Sequence, residues 1–231
     1  YYLDPYVFGA LLGNGLFTRP AFEFSSNDEE TVRELEQLLT LPAKRNPHNY
    51  SWHFVTGVWG HGDAWVQTKE LLQDVPELVG KKSGEKFIPD CYKFGSIAQR
   101  WALIQGLFDT DGTIGKASRY NIRFSSVSKQ LVQDVQEVLW SLGVPSQIRP
   151  QKNRRKRKCS DTTEYQLHVK VQNKDKVKFF RLPRKLERAK EACSVRKQRE
   201  KKFDTVAIKS VEKLDYKEPM TCIMVDDPEH L

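Results

Sequence analysis

The sequence predicts an α+β protein in which an αββαββα unit occurs twice, giving two four-stranded antiparallel sheets related by a pseudo-two-fold axis. Three observations carry this. FGALLGNGLF (Phe8 to Phe17) and IQGLFDTDGTI (Ile104 to Ile114) are two copies of one apolar helix ending in a polar residue and a glycine, 97 residues apart. Phe24-Ser25-Ser26 returns as Phe124-Ser125-Ser126 at an offset of 100. Val32, Leu35, Leu38 and Leu39, one face of an amphipathic helix, return as Val132, Val135, Val138 and Leu139. A repeat of this length implies two similar half-domains in one polypeptide. The expected division is 1–86 for the first half with its connector, 87–202 for the second, and 203–231 for a C-terminal strand segment.

In the first half, the apolar run predicts a helix over 5–15, followed by short strands over 16–19 and 21–25. Asn27 with Glu30 has the spacing of a capping box for a helix over 28–41. Residues 50–54 alternate apolar and polar, the mark of a half-buried strand. A helix over 64–72 and a Gly- and Lys-rich connector over 79–86 close the half. The second half repeats the order with a helix over 97–112 and strands over 113–118 and 120–126. Ser128 is the expected N-cap of a helix reaching Leu142. A strand over 144–150 leads into a basic loop, and 165–171 is the clearest period-two segment of the chain. A helix-rich stretch over 174–202 ends the half. Trp52, Trp101 and Trp140 are expected in the core.

The chain has 231 residues, 39% hydrophobic and 11% aromatic, which suits a globular protein with a sizeable core. No apolar run is long enough for a transmembrane helix, so no membrane partner is expected. No secretory leader is legible, and the four scattered cysteines read as free thiols of a reducing compartment, which places the chain inside a cell. The net charge of +8 is concentrated: Lys152 to Lys158 reads KNRRKRK, and Arg181 to Lys202 carries ten basic residues against three glutamates. Such blocks attract phosphate polyanions.

Strand parity assigns Tyr165, Leu167, Val169 and Val171 to the helix-covered face and leaves Gln166, His168 and Lys170 on the open one. The same parity opens Asn121, Arg123 and Ser125, Gln147, Arg149 and Gln151, Ser51 and His53, and Glu23 and Ser25. Arg19, Lys116 and Arg119 lie at the adjoining strand ends. These side-chain types suit base edges and phosphates in a major groove.

Gly9 and Gly13 are four apart, as are Gly106 and Thr110, so each helix has a face on which another backbone can approach closely. Parallel packing about a pseudo-two-fold axis would bring Asn14 and Asp111 together. Acidic groups converging beside a phosphodiester are what metal-assisted hydrolysis needs.

IQGLFDTDG and FGALLGNG resemble the two motifs of the LAGLIDADG homing endonucleases, in the single-chain form with two halves. KFIPDCYKFGSIAQRWALIQGLFDTDGTIG is similar to the endonuclease domain carried inside inteins. CIMVDDPEHL (Cys222 to Leu231) is similar to a segment just upstream of an intein's splice junction. The resemblance implies a site-specific double-stranded DNA endonuclease acting as a monomer on a long asymmetric target, with Mg²⁺ as cofactor and gene mobility as its biology. It implies metal binding by Asp111, and by Asn14 at the matching place, where the family carries an acid. It also implies that Lys86 and Lys185, a pair offset by 99, lie near the scissile phosphates. Asp109 is expected to be a helix-end hydrogen-bonding residue. With Asn14 in place of a carboxylate, cleavage of one or both strands is expected to fail. A DNA-binding relative that no longer cuts and an RNA maturase are the alternative readings. Opening at Tyr1 and stopping at Leu231 without a His-Asn pair, the chain is not expected to splice.

Overall fold

The computed structural model describes residues 3–56, 64–116, 120–152, 163–194 and 210–213. The chain divides into two compact units, Tyr1–Glu200 and Lys201–Leu231. In the second unit the described residues 210–213 form neither helix nor strand, and the expected strand segment 203–231 otherwise lies outside the described residues.

Helix α1 (Pro5–Asn14) opens the first unit, its N-terminus capped by the Asp4 carboxylate, which accepts the Tyr6 amide at 2.8 Å. It runs into β1 (Gly15–Leu16), which pairs with β2 (Glu23–Ser25). Helix α2 (Glu29–Leu39) follows, then β3 (Ala43–Arg45) and β4 (Ser51–Thr56). The sheet order is β1-β2-β4-β3, antiparallel throughout.

The second half repeats this. Helix α5 (Ile97–Thr110) starts on a Ser96–Gln99 capping box and passes into β6 (Gly112–Ile114), which pairs with β7 (Ile122–Ser126). Helix α6 (Lys129–Ser141) has Ser128 as its N-cap, accepting the Leu131 amide at 3.1 Å. Strands β8 (Ser146–Lys152) and β9 (Thr163–Val169) complete a sheet of order β6-β7-β9-β8. Helix α7 (Pro183–Ser194) closes the half after a 3-10 segment, Asn173–Phe179.

Several elements differ from expectation. The expected helix over 64–72 is only α3 (Thr68–Leu71), because Ala64–Trp65 forms a fifth strand, β5, on the first sheet. Two backbone bonds continue that pairing to Val66, from Val66 N to Phe54 O and from Phe22 N to Val66 O, both at 2.9 Å. The one-turn helix α4 (Asp90–Lys93) and β3 carry too few residues for a periodic signal. The Asn27–Glu30 capping box does not form: Asp28 occupies the N-cap of α2, and its carboxylate is held by Arg184 at 2.8 and 2.6 Å. Trp52 and Trp101 pack against the core, whereas Trp140 is 58% exposed on α6.

One continuous core runs beneath both sheets, with Phe22, Phe24, Val32 and Leu35 in the first half and Ile122, Phe124, Val132 and Val135 in the second. Helices α1 and α5 lie at its centre. A Cβ on Gly9 would stand 2.2 Å from Leu103 O, and one on Gly106 would stand 2.0 Å from Tyr6 O. Residues 9 and 106, and 6 and 103, are equivalent by the same 97-residue offset, so these two contacts are pseudo-symmetry mates. Gly13 and Thr110 are equivalent too and meet each other, a Gly13 Cβ falling 2.0 Å from Thr110 Oγ1. The pseudo-axis therefore passes between them.

Candidate active site

The two motif helices end side by side and deliver Asn14, the last residue of α1, and Asp111, the C-cap of α5. Both are half-buried. Residues Leu12, Gly13, Ser83, Lys86, Asp111, Ser125, Ser126, Val127 and Glu164 line one cleft of about 260 Å³ here. Burial pushes the Asp111 carboxyl up to about 6, against the pull of Lys86 and Lys185. No described residue donates a hydrogen bond to it.

Lys86 and Lys185 occupy matching positions. The Lys86 ammonium donates to Leu12 O at 2.8 Å and Gly15 O at 2.7 Å, at the end of α1. That of Lys185 donates to Phe108 O, Asp109 O and Gly112 O at 2.8, 2.7 and 2.6 Å, at the end of α5. Each lysine thus satisfies carbonyls that a helix leaves unpaired, and places a cation at the negative end of its dipole. Burial brings both ammonium groups down to about 8, with Asp111 opposing the shift at Lys86 and Asp109 opposing it first at Lys185. Both lysines are buried, so their contacts are with the helix ends rather than with open solvent.

Asp109 is a helix-end hydrogen-bonding group, as its motif position suggested. Its Oδ2 accepts Tyr6 Oη at 3.1 Å and the amides of Arg181 and Leu182 at 2.9 and 3.0 Å. Burial raises its pKa to about 6 despite these donors. The Arg181 guanidinium lies 4.2 Å from the centre of the Tyr6 ring and reaches Glu34 at 3.2 Å. Nothing in the local sequence marks Tyr6 or Arg181, because both act across the pseudo-axis.

Flanking these helix ends are the open faces of the two sheets. In the second sheet one cross-strand row reads Thr113, Arg123, His168, Gln147 and the next Ser125, Gln166, Arg149. Gln151 donates to Gln166 at 3.0 Å, and Arg149 to Gln147 at 3.1 Å. Burial and then the charges of Arg149 and Arg123 hold His168 below its ordinary pKa. Lys116, Asn121, Gln147, Arg149, Gln151 and Lys170 are exposed, whereas Arg123, Ser125, Gln166 and His168 are half-buried. Arg119 lies outside the described residues.

The first sheet presents less of what was expected. Ser25 is exposed and Arg19 pairs with Glu23 at 3.1 Å. Ser51 is buried: the Asn49 carboxamide folds back onto it, Oδ1 accepting the Ser51 amide at 2.9 Å and its hydroxyl at 2.5 Å. That removes Ser51 from the accessible face. His53 is half-buried because the Trp65 ring, brought over by β5, stacks on it at 4.6 Å. Lys44, across from His53 on β3, is exposed and was missed because that strand was missed.

A hard divalent cation fits this setting. Mg²⁺ is commonly bound by one or two carboxylates, with water and substrate phosphate completing its shell, and Asp111 offers one such carboxylate in an accessible cleft. Among the described residues there is no cluster of three or more His, Cys, Asp or Glu that would cage a metal by itself.

Comparison with known proteins agrees with this architecture. Residues 98–182 match a LAGLIDADG-like domain, and residues 3–55 match the WhiA LAGLIDADG-like domain. Among curated relatives, the replicative DNA helicase DnaB of Mycobacterium intracellulare is 28% identical over 99% of this chain and 33% of its own length. The DNA polymerase of Thermococcus litoralis is 24% identical over 67% of this chain and 10% of its own length. The chain thus spans about a third or less of these proteins. The homing endonuclease I-DmoI, solved with DNA and Ca, shares the fold with a TM-score of 0.50 at 14% identity, over 82% of this chain and 97% of that one. With a family model matched in each half and both motif helices paired at the centre, the chain belongs to the LAGLIDADG family.

Proposed function

We propose that the chain binds duplex DNA along its two sheets and hydrolyses phosphodiester bonds at the paired helix ends with a divalent metal. The observation that carries this reading is the Asp111 cleft, opening between the ends of α1 and α5 beside a polar, basic sheet face. Arg123, Arg149, Gln147 and Lys170 would contact bases and phosphates of one half-site; Arg19, Ser25 and Lys44 would contact the other. Ser25 and His53 have Ser125 and His168 at their matching positions, but Glu23 stands where the other sheet has Arg123 and Ser51 where it has Gln166, so we infer an asymmetric, long target that one chain reads alone.

Asp111 would hold Mg²⁺, with the Asn14 amide oxygen as a neutral second ligand. When bound, the metal polarises the phosphate and lowers the pKa of its water. Lys86 and Lys185 fix the helix ends and keep positive charge near the reacting phosphate. Asp109 fixes α5 against α1 and takes no part in the chemistry. Asn14 supplies one negative charge less than a carboxylate would, so strand cleavage is impaired relative to an Asn14→Asp form. A segment that resembles parts of a replicative helicase and of a DNA polymerase, proteins of different activity, fits a mobile element embedded in host genes, and therefore an intracellular site of action.

The test starts with a duplex selected from a random-sequence pool by binding, then incubated with Mg²⁺ and either the chain or Asn14→Asp. Faster cutting by Asn14→Asp on a shared duplex is the expected result. Tight binding with no cutting by either would favour the DNA-binding relic, and preference for structured RNA would favour the maturase.

A further inference from the structure

Two carboxylates in the second half have amides in their places in the first. Asp111 and Asn14 are equivalent through the motif. The second pair follows from sheet register. Phe24 with Trp52 and Ser25 with Ser51 correspond to Phe124 with Leu167 and Ser125 with Gln166. One step further, Ser126 pairs with Tyr165, and the Ser26 amide donates to Tyr50 O at 2.8 Å. Tyr50 therefore matches Tyr165, and the residue before each, Asn49 and Glu164, match in turn.

These two positions behave differently. Asn49 is committed to Ser51 through both the amide and hydroxyl contacts described above. Glu164 instead lines the cleft with Asp111 and Lys86, and the hydroxyl-bearing residues Ser83, Ser125 and Ser126 line it too. Gln166 Nε2 reaches Ser125 Oγ at 3.4 Å, which joins the polar row of the open face to the cleft wall.

We propose that Glu164 is a catalytic residue that takes the proton of the water attacking the phosphate in the Asp111 cleft, so that this chain nicks only the strand entering that side. The inference rests on the hydrolytic reading given above. The water oxygen forms a bond to phosphorus as a phosphorus–sugar oxygen bond breaks. The sugar oxygen leaves with the bonding pair and is protonated by solvent, while the water proton passes to the Glu164 carboxylate and from there to bulk. On the other side Asn14 and Asn49 are both amides, which accept no proton near neutral pH.

The experiment uses the whole chain and a duplex selected by binding in Ca²⁺, its strands labelled differently and the reaction started with Mg²⁺. One strand is expected to be nicked. Glu164→Gln should bind the same duplex within about 2-fold and nick it at least about 100-fold more slowly in single turnover, the scale of a lost general base. Its residual rate should rise steadily with pH, and Glu164→Asp should recover part of the loss. Asn14→Asp combined with Asn49→Glu should add a nick in the other strand. Nicking by Glu164→Gln at the unchanged rate, equal cutting of both strands by the unchanged chain, or binding with no nick at all would overturn the proposal. If no duplex is selected, the DNA-binding reading fails first and this one falls with it.

Discussion

Gly9 meets Leu103 O and Gly106 meets Tyr6 O, two contacts that repeat each other across the pseudo-axis. At the far end of the same helices Asn14 stands where the other half has Asp111, and Leu12 where it has Asp109. The sheets diverge in the same way: matched strand order and register, but a tryptophan stacked on His53 in one and arginines flanking His168 in the other. Backbone packing is shared because each half supplies the same wall to the other. Charge is shared only in part: Lys86 and Lys185 match across the axis, whereas Asp111 and Asp109 have the uncharged Asn14 and Leu12 as their counterparts.

The packing half of this comparison gives the largest effects. Gly9→Val and Gly106→Val should each destabilise the fold by more than about 4 kcal/mol, because the obstacle is backbone carbonyl and cannot rotate away. Urea denaturation checks this, and tolerance of one substitution but not the other would break the symmetry argument. Next come Lys86→Met and Lys185→Met, expected to cost roughly 3 kcal/mol each by leaving several buried carbonyls unpaired. A large difference between them would mean that one helix end has another source of donors.

The charged half predicts effects of the opposite sign. Burial raises Asp111 to about 6 from 3.8, so the folded state holds a proton that the unfolded chain has already lost between about pH 4 and 6. Stability from this group therefore falls as pH rises through that window. Asp111→Asn should raise stability at pH 7 by on the order of 2 kcal/mol and have little effect at pH 3, as thermal melts at both pH values would show. The smallest effects concern DNA. Arg123→Ala and Arg149→Ala should each weaken binding by about 1 kcal/mol and reduce the salt slope by about one, if each meets a phosphate. Arg19→Ala should change both less, because its partner Glu23 already offsets the charge. An equal change of slope for Arg19→Ala would mean that the Arg19–Glu23 pair opens when DNA binds.

Much of this was legible in the residues. The motif glycines, the Ser128 cap and the alternation of Tyr165, Leu167 and Val169 each encode local geometry and are found in the structure. Ser51 misled because parity describes a strand and not the Asn49 turn that covers its end. Strand β5 was hidden because Ala64 and Trp65 pair outside their own segment. Lys185 and Arg184 sit in a basic run of ten, and only tertiary structure shows that one reaches the end of α5 and the other Asp28. Glu164 gave no signal of its own; its pairing with Asn49 exists only once the two sheets are aligned.

The clasp between Arg184 and Asp28 joins residues 156 positions apart, and this bears on the order in which the molecule matures. As the chain leaves the ribosome, α1 can be finished once Lys86 emerges. The start of α2 waits for Arg184, and α5 waits for Arg181, Leu182 and Lys185. Neither half completes before α7 arrives, so folding of this unit is governed by its most distant contacts and should be slow for one so rich in helix. Until then Asp109 is a carboxylate without its amide donors, and the early product is a nascent chain dependent on what is still to be translated.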